Sequence, residues 1–222
     1  MINSKNRKLE RLNSGLSDTL SENVYNLVIG GCLIYGFIVN AIMITLFGDF
    51  FLYMNPLIFI ISYVVLAFTG ILVSSISKNP IVSFIGYNMV VVPIGALLAI
   101  CLPGYPAKEI LLAVIITGAV VGVMTVMATT RPKIFENLGL TLGIALILGI
   151  LGETIALLFG YAGNAFNWLF VIIFSLYIGY DWHKAQVYPK TLDNAVDSAI
   201  DLYLDIINLF IRLLSIINRS RD

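Results

Sequence analysis

The chain has 222 residues, 59% of them hydrophobic and 12% charged, with a formal net charge of zero at neutral pH. Soluble domains carry about 25% charged residues, so this composition excludes an ordinary water-soluble fold. The neutral balance excludes the basic footprint of a nucleic-acid binder. Cys32 and Cys101 lie in apolar runs with no partner spacing, which argues against a disulfide framework or a CxxC metal site.

Residues 1–23 are polar and mixed in charge, and they lack the regions and cleavage site of a secretory signal peptide. They read as a cytosolic arm. Leu9, Leu12, Leu16 and Leu20 fit either a short surface helix or a partly ordered tail.

A helix needs roughly 20 apolar residues to cross the hydrocarbon core. Seven runs qualify, about Val24–Phe47, Tyr53–Ile76, Pro80–Leu102, Ile110–Thr130, Leu138–Phe159, Ala165–Trp182 and Val196–Ile217. They predict an all-α integral membrane domain over residues 24–217, with a short tail at 218–222. The breaks between them carry turn residues: Gly48-Asp49, Asn55-Pro56, Lys78-Asn79-Pro80, Pro103-Gly104, Arg131-Pro132 and Pro189-Lys190. None of the runs alternates with the period of two that barrel strands need.

Basic residues in short loops set orientation. With the N-terminus in the cytosol, nine of the 13 fall there: Lys5, Arg7, Lys8, Arg11, Lys78, Arg131, Lys133, Lys184 and Lys190. The C-terminus then lies outside, and Trp168 and Trp182 sit near opposite ends of the sixth span as interface anchors. The glycine pairs Gly118/Gly122 and Gly139/Gly143 permit close helix contact without implying a specific role. No internal repeat of the kind that builds inverted-repeat transporters is visible.

The seventh run is unusual for a membrane helix, because it carries Asp197, Asp201, Asp205, Asn208 and Arg212. At about 100° per residue these five fall in one sector about 80° wide. A charge near the bilayer centre costs several kcal/mol, so such a face turns towards protein or water. Asp197, in the first predicted turn, also fits a carboxylate that favours the helix N-terminus, and Arg212 fits a side chain snorkelling to the far interface. Asp205 is too deep for either role.

Pro189 restricts the residue before it, so the sixth helix can run to about Val187. Asp181 then lies about 9 Å from its cytosolic end and Asp205 about 14 Å into the seventh helix. Sequential helices on a short loop pack antiparallel, which brings Asp181 and Asp205 to nearly the same depth. Two carboxyl groups in contact in a poorly solvated site cannot both ionise cheaply, so the pair can hold a shared proton near neutral pH. Calcium prefers six to eight oxygen ligands, so the pair suits a weak or transient calcium site.

At these residues the sequence resembles the Bax inhibitor-1 family, through Ser175-Leu-Tyr-Ile-Gly-Tyr-Asp181 and Leu202-Tyr-Leu-Asp-Ile-Ile-Asn-Leu-Phe210. The resemblance implies six helices around a central seventh in a bacterial plasma membrane. It also implies a di-aspartate pair, here Asp181 and Asp205, that regulates a pH-sensitive calcium leak and needs no cofactor. A basic latch on the sixth-helix aspartate is implied as well, matched by Lys78. Asp201 matches part of the family. Glu153 in the fifth span has no family counterpart and reads as either a local polar contact or a second relay point.

Two functions remain in view. The first is a calcium leak channel or exchanger gated by protonation of Asp181/Asp205. The second is a non-conducting regulator that binds another membrane protein, such as a membrane protease, through the N-terminal arm. An enzyme is disfavoured: the single histidine, His183, is two residues from Asp181 and so on another helix face, and no HExxH or nucleophile motif is present. The seventh span also lacks the lysine that a retinal Schiff base requires.

Overall fold

The computed structural model describes residues 19–161 and 163–219. The leucines at 9, 12 and 16, most of the N-terminal arm and the last three residues of the C-terminal tail lie outside that range. The described residues form seven α-helices and two 3-10 turns, with no strand among them. The helices are α1 (Glu22–Leu52), α2 (Pro56–Ile76), α3 (Pro80–Cys101), α4 (Ala107–Thr130), α5 (Leu138–Leu158), α6 (Ala165–Val187) and α7 (Leu192–Arg219).

The helix starts follow local chemistry. Asn55 Oδ1 accepts hydrogen bonds from the Leu57 and Ile58 amides at 2.9 and 3.4 Å, and Asn79 Oδ1 accepts from the Ile81 amide at 2.9 Å. Each asparagine precedes a proline at the first helical position, where the missing N–H would have no intrahelical partner anyway. Gly48-Asp49, expected to end the first helix, does not. The apolar Phe50–Leu52 that follows continues α1, and the chain stops only where Asn55-Pro56 supplies a new cap. In α6 the helix ends at Val187, two residues ahead of Pro189.

Among the described residues six helices, α1 to α6, are long and apolar enough to cross a membrane. Their outward faces carry large apolar side chains, such as Leu57, Ile61, Val65 and Phe68 on α2 and Ile144, Ile147 and Leu151 on α5. Such faces are stable in lipid and a liability in water. The seventh helix departs from expectation. It begins at Leu192, not Val196, and its acidic residues take it outside the apolar composition of the other six. It is also the most enclosed, with no exposed residue from Asn194 to Asn218.

The described helices fall into two compact units. One contains α1, α2, α3 and residues 185–201; the other contains α4, α5, α6 up to Lys184 and α7 from Leu202. In the first, α2 and α3 touch backbone to backbone. A Cβ at Gly70 would stand 2.6 Å from the Gly86 carbonyl oxygen, and one at Gly86 would stand 2.7 Å from that of Gly70. In the second, Gly139 lies against the Tyr180 phenol and Gly179 against the Phe135 ring. Gly118 and Gly122, by contrast, face open space.

Candidate functional site

The polar residues of α7 recur every four positions from Asp193 through Asp197 and Asp201 to Asp205, then continue with Asn208 and Arg212. Asp193 is a member that the later start assigned from sequence had left out.

In the first unit the carboxylates meet hydroxyls. The Ser83 hydroxyl donates to Asp193 Oδ1 at 2.6 Å, and the Ser74 hydroxyl donates a short hydrogen bond to Asp197 Oδ1. Both serines are buried, as is Asp197. Asp197 is therefore a buried acceptor in the second turn of α7 and not an end charge. Ser74 is four residues after Gly70 and Ser83 three before Gly86, so the glycine contact holds the helices that present both hydroxyls. Asp201 follows, half-buried.

Around the start of α7 the Tyr25 hydroxyl lies 3.2 Å from Ser198 Oγ and donates to the Asn194 carbonyl at 3.3 Å. Lys190 closes the end of α6: its ammonium donates to the Ala185 and Gln186 carbonyls at 3.2 and 2.9 Å and sits 4.6 Å from the Tyr25 ring centroid. Burial lowers the Lys190 pKa below the ordinary lysine value, while the Glu22 charge works in the opposite direction.

In the second unit Asp181 and Asp205 are both buried, each 7% exposed. The Tyr177 hydroxyl lies within electrostatic reach of both carboxylates. Tyr177 and Asp181 are four residues apart on α6, so that helix presents its phenol and its acid on one face. A cation beside Asp181 in this unit is Lys184, one turn on, with Nζ 3.2 Å from Oδ1. Lys78, the basic residue matched to the latch, is exposed in the turn between α2 and α3. The i, i+3 spacing of Asp181 and Lys184 was legible in the sequence.

Arg212 is held within this unit. It makes a bidentate ion pair with Glu153, Nη1 to Oε1 at 2.5 Å and Nη2 to Oε2 at 2.9 Å. Its Nη1 also donates to Asn167 Oδ1 at 3.1 Å, and its guanidinium lies 4.1 Å from the Phe170 ring centroid. Glu153 is the acid of α5 that meets α7 here. Asn208 donates its amide to the Leu204 carbonyl at 2.8 Å, one turn back in its own helix. The Trp182 indole donates to the Thr129 hydroxyl at 3.1 Å.

No group of three or more His, Cys, Asp or Glu side chains comes together to hold a metal ion among the described residues. The chemistry available to the second unit is that of two enclosed carboxylates, a phenol and an ammonium, which exchange protons and attract cations.

A family model described as "Inhibitor of apoptosis-promoting Bax1" matches residues 17–222, all but the first 16 residues. The chain belongs to the Bax inhibitor-1 family. Among similar proteins, an uncharacterised protein of Lactococcus lactis is 28% identical over the full length of both chains. An uncharacterised Helicobacter pylori protein is 35% identical over 113 residues, covering 48% of this chain and 46% of its own. The Saccharomyces cerevisiae protein named Bax inhibitor 1 is 34% identical over 135 residues, covering 53% of this chain and 43% of its own. The chain thus spans a little under half the length of these last two relatives. Family membership and the six apolar helices make this an integral membrane protein.

Proposed function

We propose that the protein is a pH-sensitive calcium leak pathway, with Asp181 and Asp205 as its proton-operated gate. One observation carries this reading: two carboxylates, Asp181 and Asp205, enclosed in one helical unit, with Lys184 on Asp181. Ionised, Asp181 holds Lys184 and the pair keeps the site closed. Protonation of Asp181 removes that attraction and releases the Lys184 ammonium from the site. Calcium is the transported ion and makes brief contact with the acids; two carboxylates supply too few oxygens to retain it.

The enclosed character of α7 supports taking it as the core helix, with α1 to α6 towards lipid. The excess of basic residues on one side supports a cytosolic N-terminus, and the bacterial relatives support the bacterial plasma membrane.

The test is calcium entry into liposomes containing the purified protein, at pH 6 and pH 8, with Asp205→Asn alongside. Entry greater at pH 6, and a pH response flattened in the variant, is the expected result. Entry with an unchanged pH response in Asp205→Asn would remove the gate. No entry above that of empty liposomes at either pH would instead favour a non-conducting regulator that acts on another membrane protein.

A further inference from the structure

The ion pair between Glu153 and Arg212 has no part in the gate described above, yet it lies on the same polar stripe as Asp205. Arg212 follows Asp205 by seven residues, which places it about 10 Å further along α7 and within about 20° of the same face. The guanidinium is fixed from three sides: both carboxylate oxygens of Glu153, the Asn167 carbonyl oxygen and the Phe170 ring. Asn167 is itself held, its amide donating to Ser215 Oγ at 3.0 Å and Asn164 Oδ1 at 3.3 Å. The two charged side chains remain 24% and 26% exposed, so the pair is partly accessible.

A charge-neutral pair fixed so firmly is costly to build inside a membrane protein. Ions must be taken from water, and an apolar pair of similar size is often as stable. Its electrostatic effect on a cation is specific, however. Arg212 alone would place a positive charge in the path of any cation near Asp205, and Glu153 cancels it. We propose that the Glu153–Arg212 pair is a charge filter that sets cation occupancy at Asp205, with Arg212 the restraining group and Glu153 its counterweight. This inference rests on the calcium-leak reading. Asn167 and Phe170 are positioning residues that keep the guanidinium on the stripe.

The filter makes a prediction that a merely structural salt bridge does not, because its two halves should act with opposite sign. At about 10 Å and an effective dielectric near 20, one unit charge changes the occupancy of a divalent cation by on the order of a hundredfold. Calcium entry would be measured in phosphatidylcholine/phosphatidylglycerol liposomes at fixed pH for the wild type, Arg212→Gln, Glu153→Gln and the double variant. Thermal melting of each in detergent would run in parallel. Arg212→Gln should raise entry up to about a hundredfold and Glu153→Gln should lower it by a similar factor. The double variant, again neutral, should return near the wild-type rate. The exchanged pair Glu153→Arg with Arg212→Glu keeps the ion pair if the single variants fold poorly, and it should bring entry back within a few-fold of the wild type. Single variants that both lower entry in step with lost melting temperature, or that both leave it unchanged, would overturn the filter while leaving the gate intact. An exchanged pair that melts normally but does not restore entry would also overturn it. A wild-type protein that admits no calcium would overturn the leak reading and the filter with it.

Discussion

The two halves of α7 treat the same problem differently. In the first unit, Asp193 and Asp197 are answered by the neutral hydroxyls of Ser83 and Ser74. In the second, the cations Lys184 and Arg212 meet the acids Asp181 and Glu153. A hydroxyl satisfies a carboxylate oxygen and leaves its negative charge in place, whereas an ammonium or guanidinium cancels that charge. The first unit thus keeps the negative charge of its hydrogen-bonded acids, whereas in the second two acids, Asp181 and Glu153, each face a cation. Desolvation falls more heavily on the first unit, because hydrogen bonds to an ionised group must offset it without a counter-charge.

The largest expected effect comes from removing the contact that positions the hydroxyls. Gly86→Val puts side-chain atoms where the Gly70 carbonyl already stands, at 2.7 Å from the first added carbon. Backbone cannot yield as a flexible side chain does, so α2 and α3 must separate and carry Ser74 and Ser83 with them. The expected loss is about 3 kcal/mol, towards the upper end for overpacking, visible as a drop in melting temperature in detergent. An unchanged melting temperature would mean that the helices do not depend on that contact.

A smaller effect is expected from the hydroxyls themselves. Ser74→Ala and Ser83→Ala each delete a hydrogen bond from a buried hydroxyl to a carboxylate, worth about 1.5–3 kcal/mol when the acceptor is charged. Their neighbourhoods share the start of α7, so the double variant should fall short of the sum. Strict additivity would show that the two serine–aspartate pairs are independent, and would break the view of this end as one unit.

The smallest effect is at Lys190. Replacing it by Met removes a cation from the carbonyl end of α6, at a cost of about 0.3–1 kcal/mol. The pH dependence sharpens the test. Burial lowers this lysine's pKa, so between the lowered value and the ordinary one the unfolded chain binds more protons than the folded chain. Stability therefore rises with pH through that window and is lost again as pH falls through it. Lys190→Met should flatten the alkaline rise relative to the wild type, measured by melting across alkaline pH.

Most of the fold could be read from the sequence because lipid imposes a strong filter on composition. Runs of about 20 apolar residues, with Asn-Pro at two starts and Pro189 beyond one end, locate the helices to within a few residues. The acidic stripe was legible for the same reason, since charges in an apolar run stand out. Its partners were not. Ser74 and Ser83 look like any serine in a membrane helix, and only the close approach of α2 to α3 gives them an address. Arg212 and Glu153 are separated by 59 residues, and the sequence does not say that their helices meet. The Asp181–Lys184 contact, by contrast, was open to simple i, i+3 spacing on one helix.

The length of α1 has a mechanical consequence. Its 31 residues extend about 46 Å at 1.5 Å each, against a hydrocarbon core about 30 Å thick. A rod that overshoots its slab must lean or project, and the angle it takes depends on the thickness of the slab. One end of this rod is fastened, through Tyr25, to Asn194 and Ser198 at the start of α7. Acyl-chain length is thereby a physical variable for the acidic helix, transmitted by leverage and not by charge.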